Sequence, residues 1–191
     1  RHRTGNTAGM TDPALWGIAS TAAGSEGLSD RSDWSTLTAE GTLPDSMIGS
    51  GFGFEYRSDL PMLAEAGIPT MRWTLDWSRL EPRPGHWDSD AVDHITDVLT
   101  VARAAGIDVW AVLHDGPLPG WFSEDQRGFD DSDGLRLTWP RHVDRVAETG
   151  TCICHNCSSN YRLRSGVAPL NRFEAKRINT AIVLDEAGIN D

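Results

Sequence analysis

The chain has 191 residues, with 17 Lys+Arg against 28 Asp+Glu, three cysteines and eight tryptophans. With 39% hydrophobic and 24% charged residues, its composition is that of a soluble globular protein with material for one core or two small ones. A formal charge of -11 repels phosphate at long range and argues against nucleic acid or an anionic membrane as partner. No apolar run approaches the roughly 20 residues a spanning helix needs. The start, Arg1 to Met10, has no apolar stretch of the signal-peptide kind, so the expected location is the cytoplasm. Residues 1–12 are expected to be a flexible leader, with Met10 as a candidate initiator.

In chain order, LWGIASTA (15–22) reads as a short buried strand, and residues 28–55, rich in Ser, Gly and Asp, as a long loop. A helix is expected from Ser58 as N-cap, with Leu60, Leu63 and Ala64 on one face. Pro61 then falls in its first turn, where a missing N–H has no helical partner to lose. Gly67 ends this helix and TMRWTL (70–75) reads as a strand, followed by the turn-rich EPRPGHWD (81–88). A second helix starts at Ser89 and carries Ala91, Ile95, Val98 and Ala102 at three- and four-residue spacing. Gly106 caps it, IDVWAVL (107–113) is a buried strand, and a third helix is expected around Pro140–Thr149.

Ala66-Gly67-Ile68 and Ala105-Gly106-Ile107 each stand between a helix and a strand, 39 residues apart. That rhythm belongs to parallel βα units, whose right-handed crossovers set the strands side by side. It does not by itself separate a barrel from an open doubly wound sheet. GSGFGF (49–54) is a lone glycine cluster inside the loop and reads as flexible chain; no phosphate-binding loop follows any strand. Polar and aromatic residues collect instead at strand ends. Arg72 interrupts an apolar strand, Asp76, Trp77 and Arg79 follow it, and His114 and Asp115 follow the next. In αβ barrels the C-terminal strand ends carry the site, and tryptophan faces stack on sugar rings. For any single tryptophan the competing assignment is core packing.

At these residues the chain resembles a known family. MRWTLDWSRLEPRPGHWD (71–88) is similar to the second-strand segment of glycoside hydrolase family 1, the β-glucosidase-type retaining glycosidases. LWGIAST and the Glu26-Gly27 pair (15–27) resemble its first-strand motif. VLHDGPLPGWF (112–122), Gly128-Phe129 and WPRHVDRVAE (139–148) resemble its third strand, following loop and next helix. The likeness covers residues 13–149. It implies the N-terminal part, about three βα units, of a (β/α)8 TIM barrel acting on β-glycosides, with no metal and no organic cofactor. Site residues carried over by the resemblance are substrate-binding: Glu26, Arg72, Trp77, His114 and Asp115. Arg72 matches the arginine that supports the nucleophile carboxylate. The family's sugar-binding glutamine position holds Gly24. Aligned through Leu118-Pro119, its histidine position holds Asp115 and the next aromatic position Gly116; a one-residue slip makes His114 the functional histidine.

A retaining glycosidase needs two carboxyl groups about 5–5.5 Å apart. The family's acid/base glutamate follows the fourth strand in an Asn-Glu-Pro motif, and its nucleophile follows the seventh. No Asn-Glu-Pro occurs in this chain, and Glu174 and Glu186 resemble neither site. Three βα units do not close a barrel that typically takes about 250 residues. Neither catalytic residue is therefore assigned, and no hydrolysis is expected of the chain as written.

Composition changes near Gly150. Every tryptophan and the whole acidic excess lie before it; all cysteines (Cys152, Cys154, Cys157) and the single lysine, Lys176, lie after it. Residues 151–191 are accordingly expected to be unrelated to the barrel, most simply through a shifted reading frame. TCICHNC (151–157) offers three thiols and an imidazole, a plausible zinc set. His155 sits inside the cluster rather than in a spaced second pair, which favours unpaired thiols in a reducing cytoplasm. INTAIVLDEAG (178–188) suits one strand or helix.

Three readings follow: a piece of a β-glycosidase, a divergent non-catalytic barrel binding carbohydrate or a protein partner, or a thiol or metal module fused to a partial barrel. The residues give no oligomeric state. An open edge at the third strand, with Trp73, Trp110 and Val112 short of neighbours, is expected to make the chain associate or pack loosely when expressed alone.

Overall fold

The computed structural model describes residues 16–149, 153–156 and 180–183. Five parallel strands stand in sequence order: β1 (Gly17–Ser20), β2 (Thr70–Thr74), β3 (Asp108–Val112), β4 (Ile153–Asn156) and β5 (Thr180–Val183). β1 and β2 pair from Gly17↔Thr70 to Ser20↔Trp73, and β2 and β3 from Thr70↔Asp108 to Thr74↔Val112. β4 joins β3 at Ala111↔Ile153, and β5 joins β4 from Ile153↔Thr180 to Asn156↔Val183. Consecutive parallel order is the barrel alternative of the two the βα rhythm left open.

The sheet thus has two strands beyond the three legible as repeats. Each is a four-residue segment containing Ile or Val, too short for its periodicity to identify it alone. Pairing with β4 also covers the edge of β3 that was expected to be open. The expectations for residues 1–12, Cys152, Cys157, Glu174 and Glu186 fall outside the described residues.

Alternation along β2 divides its side chains between two faces. Met71, Trp73 and Leu75 join Phe52, Tyr56, Leu60, Ile95, Val98 and Ala102 in the main core, between sheet and helices. Trp73 is therefore fully packed, contrary to the expectation that it lacks neighbours. Trp110, on the opposite face beside Arg72, does keep exposed surface (38%).

Residues 28–55 are not a continuous loop. α2 (Asp33–Ala39) lies within them, after α1 (Ala22–Glu26), and α3 begins at Phe52 and runs to Glu65. Its N-cap is Gly51 in a left-handed conformation (φ 84), not Ser58. The glycine cluster therefore starts a helix: Gly51 adopts the positive φ, and Phe52, at the first helical position, is buried in the core. Pro61 consequently lies inside the helix rather than in its first turn, on the exposed side. α4 (Trp77–Leu80) is one turn capped by Asp76, which accepts from the Ser78 and Arg79 amides. α5 (Ser89–Ala105) matches the predicted helix, with Asp88 as N-cap through the Ala91 amide and Gly106 left-handed at its end. α6 (Trp139–Ala147) follows a loop containing short π-helical turns at Trp121–Asp125 and Gly134–Thr138.

Candidate functional site

Arg72 points from the middle of β2 to the face opposite the helices. Its Nη2 donates to Asp115 Oδ2 at 2.9 Å, three residues beyond the end of β3. Both side chains stay partly open to solvent (40% and 37%), so the pair is screened rather than locked in a dry core. His114 stands beside it, its ring against Phe129 (centroids 5.4 Å) and Trp139 (6.4 Å). Burial pushes the His114 imidazole below its ordinary value, although Asp115 and Asp33 favour its cation. Trp110 is directly across from Arg72 in the strand register. Arg72, His114 and Asp115 are thus brought together as the sequence suggests, with Trp110 as an aromatic neighbour.

Glu26 and Trp77 are not part of this group. Glu26 ends α1 on the helix side of the sheet, where its Oε1 lies 2.7 Å from His94 Nε2 of α5. Arg79 holds that corner by donating to the Glu26 and Gly27 carbonyls (3.2 and 2.9 Å) and to Asp76. Gly27 has φ 81, and a Cβ there would meet the Met47 carbonyl oxygen at 1.9 Å, so only glycine fits.

Trp77 is 2% exposed and offers no open face for a sugar. Capping by Asp76 turns the chain into α4 and carries the indole under the loop after β3. There it packs on His142 (4.2 Å, nearly parallel), Phe122 (4.7 Å), Trp139 (5.5 Å) and Trp121 (5.8 Å). Its Nε1 donates to Glu81.

Sequence reasoning missed the two groups that organise this region. Glu81 is fully buried, and its carboxylate accepts from Trp77 Nε1 (3.0 Å), the Gly85 amide (2.7 Å) and Arg141 Nη2 (2.6 Å). Its carbonyl accepts from Trp121 Nε1 at 2.7 Å. The i, i+4 spacing of Trp77 and Glu81 was the available local signal; the Arg141 contact spans 60 residues and had none. His142 is sandwiched between Trp77 and Trp87 (5.7 Å), and burial lowers its imidazole to about 3.

Two residues of the TCICHNC cluster, Cys154 and His155, belong to β4. The strand ends at Asn156, which Cys157 follows in sequence. Among the described residues no group of three or more His, Cys, Asp or Glu is placed to hold a metal, and no helix is long and apolar enough to cross a membrane.

No family model matches the chain. Among curated proteins it is similar to β-glucosidase 21 of Oryza sativa subsp. japonica, 26% identical over 155 residues, covering 73% of this chain and 29% of that protein. β-Glucosidase 22 of the same plant is 23% identical over 124 residues, covering 60% and 23%. Among solved structures, the β-glycosidase BGL167 superposes with a TM-score of 0.64 at 28% identity, covering 71% of this chain and 33% of that one. The β-glycosidase from Pyrococcus horikoshii gives 0.65 at 26% identity, covering 72% and 33%. The chain thus carries a β-glucosidase-like N-terminal portion with the fold of a partial TIM barrel. It spans about a third of the length of these relatives.

Proposed function

We propose that this chain is the first part of a family 1 retaining β-glycosidase barrel and that, as written, it binds carbohydrate without hydrolysing it. The observation that carries this reading is the partner of Arg72. In the resemblance this arginine supports a nucleophile carboxylate from a late strand; here its guanidinium is engaged by Asp115 from the neighbouring strand end. The second observation is in the sequence: no Asn-Glu-Pro occurs in the chain, and Glu174 and Glu186 resemble neither catalytic site. With neither carboxyl in its role, protonation and nucleophilic attack both lack a group. The singly hydrogen-bonded Arg72–Asp115 pair, His114 and the partly exposed Trp110 supply hydrogen bonds and an aromatic surface for a sugar ring.

The test has two arms. The purified chain should release 4-nitrophenol from 4-nitrophenyl β-D-glucoside no faster than buffer; release proportional to protein and blocked by a covalent glycosidase inhibitor refutes inactivity. Methyl β-D-glucoside should perturb the Trp110 indole NMR signal, and Asp115→Ala should abolish that response. A response unchanged by Asp115→Ala refutes the assigned binding face. Re-reading the coding DNA from Glu148 to Cys157 separates a damaged enzyme from a divergent one. A one-base change that restores Asn-Glu-Pro identifies the former, and an intact frame the non-catalytic barrel.

A further inference from the structure

Five tryptophans belong to the two packed clusters: Trp73 and Trp87 to the main core, and Trp77, Trp121 and Trp139 to the aromatic group under the loop after β3. Trp34, in α2, belongs to neither and is only half-buried. Its indole lies instead on Gly116, the residue after Asp115. A Cβ at position 116 would stand 2.9 Å from Trp34 Cη2 and 3.0 Å from its Cζ2, so the indole fills the place of a side chain there. Gly116 also has φ 98, a conformation that a residue with a Cβ resists. The resemblance puts an aromatic at position 116; in this chain the ring at that point is Trp34's.

Backbone contacts hold the indole in place. The Asp33 amide donates to the Leu118 carbonyl, and Asp33 Oδ1 accepts from the Leu118 amide, both at 2.9 Å. The Gly120 amide donates to the Arg31 carbonyl at 2.9 Å, and Ser32 is bridged to Pro119. Residues 31–33 are thus laced to 118–120, which fixes Trp34 against Gly116 and, through Asp115, relative to Arg72. The Asp33 carboxylate is also near enough to His114 to favour its cation. The Nε1–H groups of Trp77, Trp110 and Trp121 are each taken by a carboxylate or a carbonyl; that of Trp34 has no partner among the described residues.

We propose that Trp34 is a sugar-contacting residue of the carbohydrate site, its ring face covering the apolar side of the pyranose and its Nε1–H donating to a hydroxyl. Asp33 is its positioning residue. An indole with an apolar body and one polar tip suits a pyranose, whose faces carry C–H groups and whose rim carries hydroxyls. This inference rests on the carbohydrate reading and adds to it a contact from the segment between β1 and β2.

The test follows the Trp34 and Trp110 indole NMR signals of the full chain during titration with methyl β-D-glucoside, the Trp34 signal being assigned by its absence from Trp34→Phe. Both signals should shift saturably with one dissociation constant, and Asp115→Ala should abolish both responses. Read at Trp110, Trp34→Leu should weaken binding about fivefold, the effect of one aromatic stacking contact. Trp34→Phe, which keeps a flat ring over Gly116, should recover most of that loss; a role in packing alone would be served by leucine as well. A saturating Trp110 signal beside an unresponsive Trp34 signal overturns the inference and leaves the carbohydrate reading standing, as does Trp34→Leu binding like the parent. If neither indole responds, both fall. Should Trp34→Leu not fold, the Trp34 shift in the parent chain decides alone.

Discussion

Replacing His142 by phenylalanine should remove an acid sensitivity from this fold. The imidazole is fully buried between the Trp77 and Trp87 rings, and neither nitrogen has a hydrogen bond of good geometry. Unfolded, the ring takes up its proton near 6.5; folded, burial delays that to about 3, while the Leu113 backbone favours the cation slightly and His114 and Arg141 oppose it. The folded pKa is the lower one, so between these values the unfolded chain binds the proton and the folded chain does not. Stability from this residue is therefore intact above pH 6.5 and is lost as the pH falls toward 3. Between pH 7.5 and pH 5 the loss is about 2 kcal/mol, from the ratio of the two protonation equilibria. Urea unfolding followed by tryptophan fluorescence, at both pH values, measures it. Carboxylates titrate in parent and variant alike, so the quantity to compare is the difference in pH dependence between the two. His142→Phe keeps a flat ring between the tryptophans and should lose about 2 kcal/mol less on acidification. Equal pH dependence in the two proteins would show that the ring is not buried as described.

Two further outcomes follow from the packing. Glu81→Ala leaves the buried Trp77 Nε1 and the Gly85 amide without an acceptor and releases Arg141, which is half exposed and recovers solvation; the cost should be about 3 kcal/mol. Glu81→Gln, which keeps an acceptor oxygen, should lose less, and a near-neutral denaturant midpoint for the alanine variant would contradict the role given to this carboxylate. Trp110 exposes 38% of its surface on the sheet face away from the helices. Sedimentation velocity should therefore show concentration-dependent association that Trp110→Thr reduces, and a parent chain monomeric at high concentration would remove that expectation.

Much of the scaffold was legible in the residues because its signals are local. Gly67 and Gly106 mark helix ends through their positive φ, the 89–105 helix announces itself by spacing, and alternation along 70–75 fixes which side chains face the helices. Strand order followed from the repeat of the βα unit, and the candidate residues from Arg72 as a charge inside an apolar strand and from His114 and Asp115 just past the end of the next. What remained hidden depends on contacts distant in sequence. Trp77 has the composition of a sugar platform, and only the loop from Pro119 to Trp139 folding over it makes it core. Glu26 sits in the motif expected of it, yet a histidine 68 residues away turns it to the helix side. Gly51 starts a helix rather than extending a loop because Phe52 finds a buried site against Trp73. β4 and β5 exist as strands through pairing with a sheet already built, since four residues carry too little pattern to declare themselves. Backbone conformation follows from neighbours a few residues apart and is written into the sequence. Which surface a side chain meets is decided by packing, and packing exists only once the chain has folded.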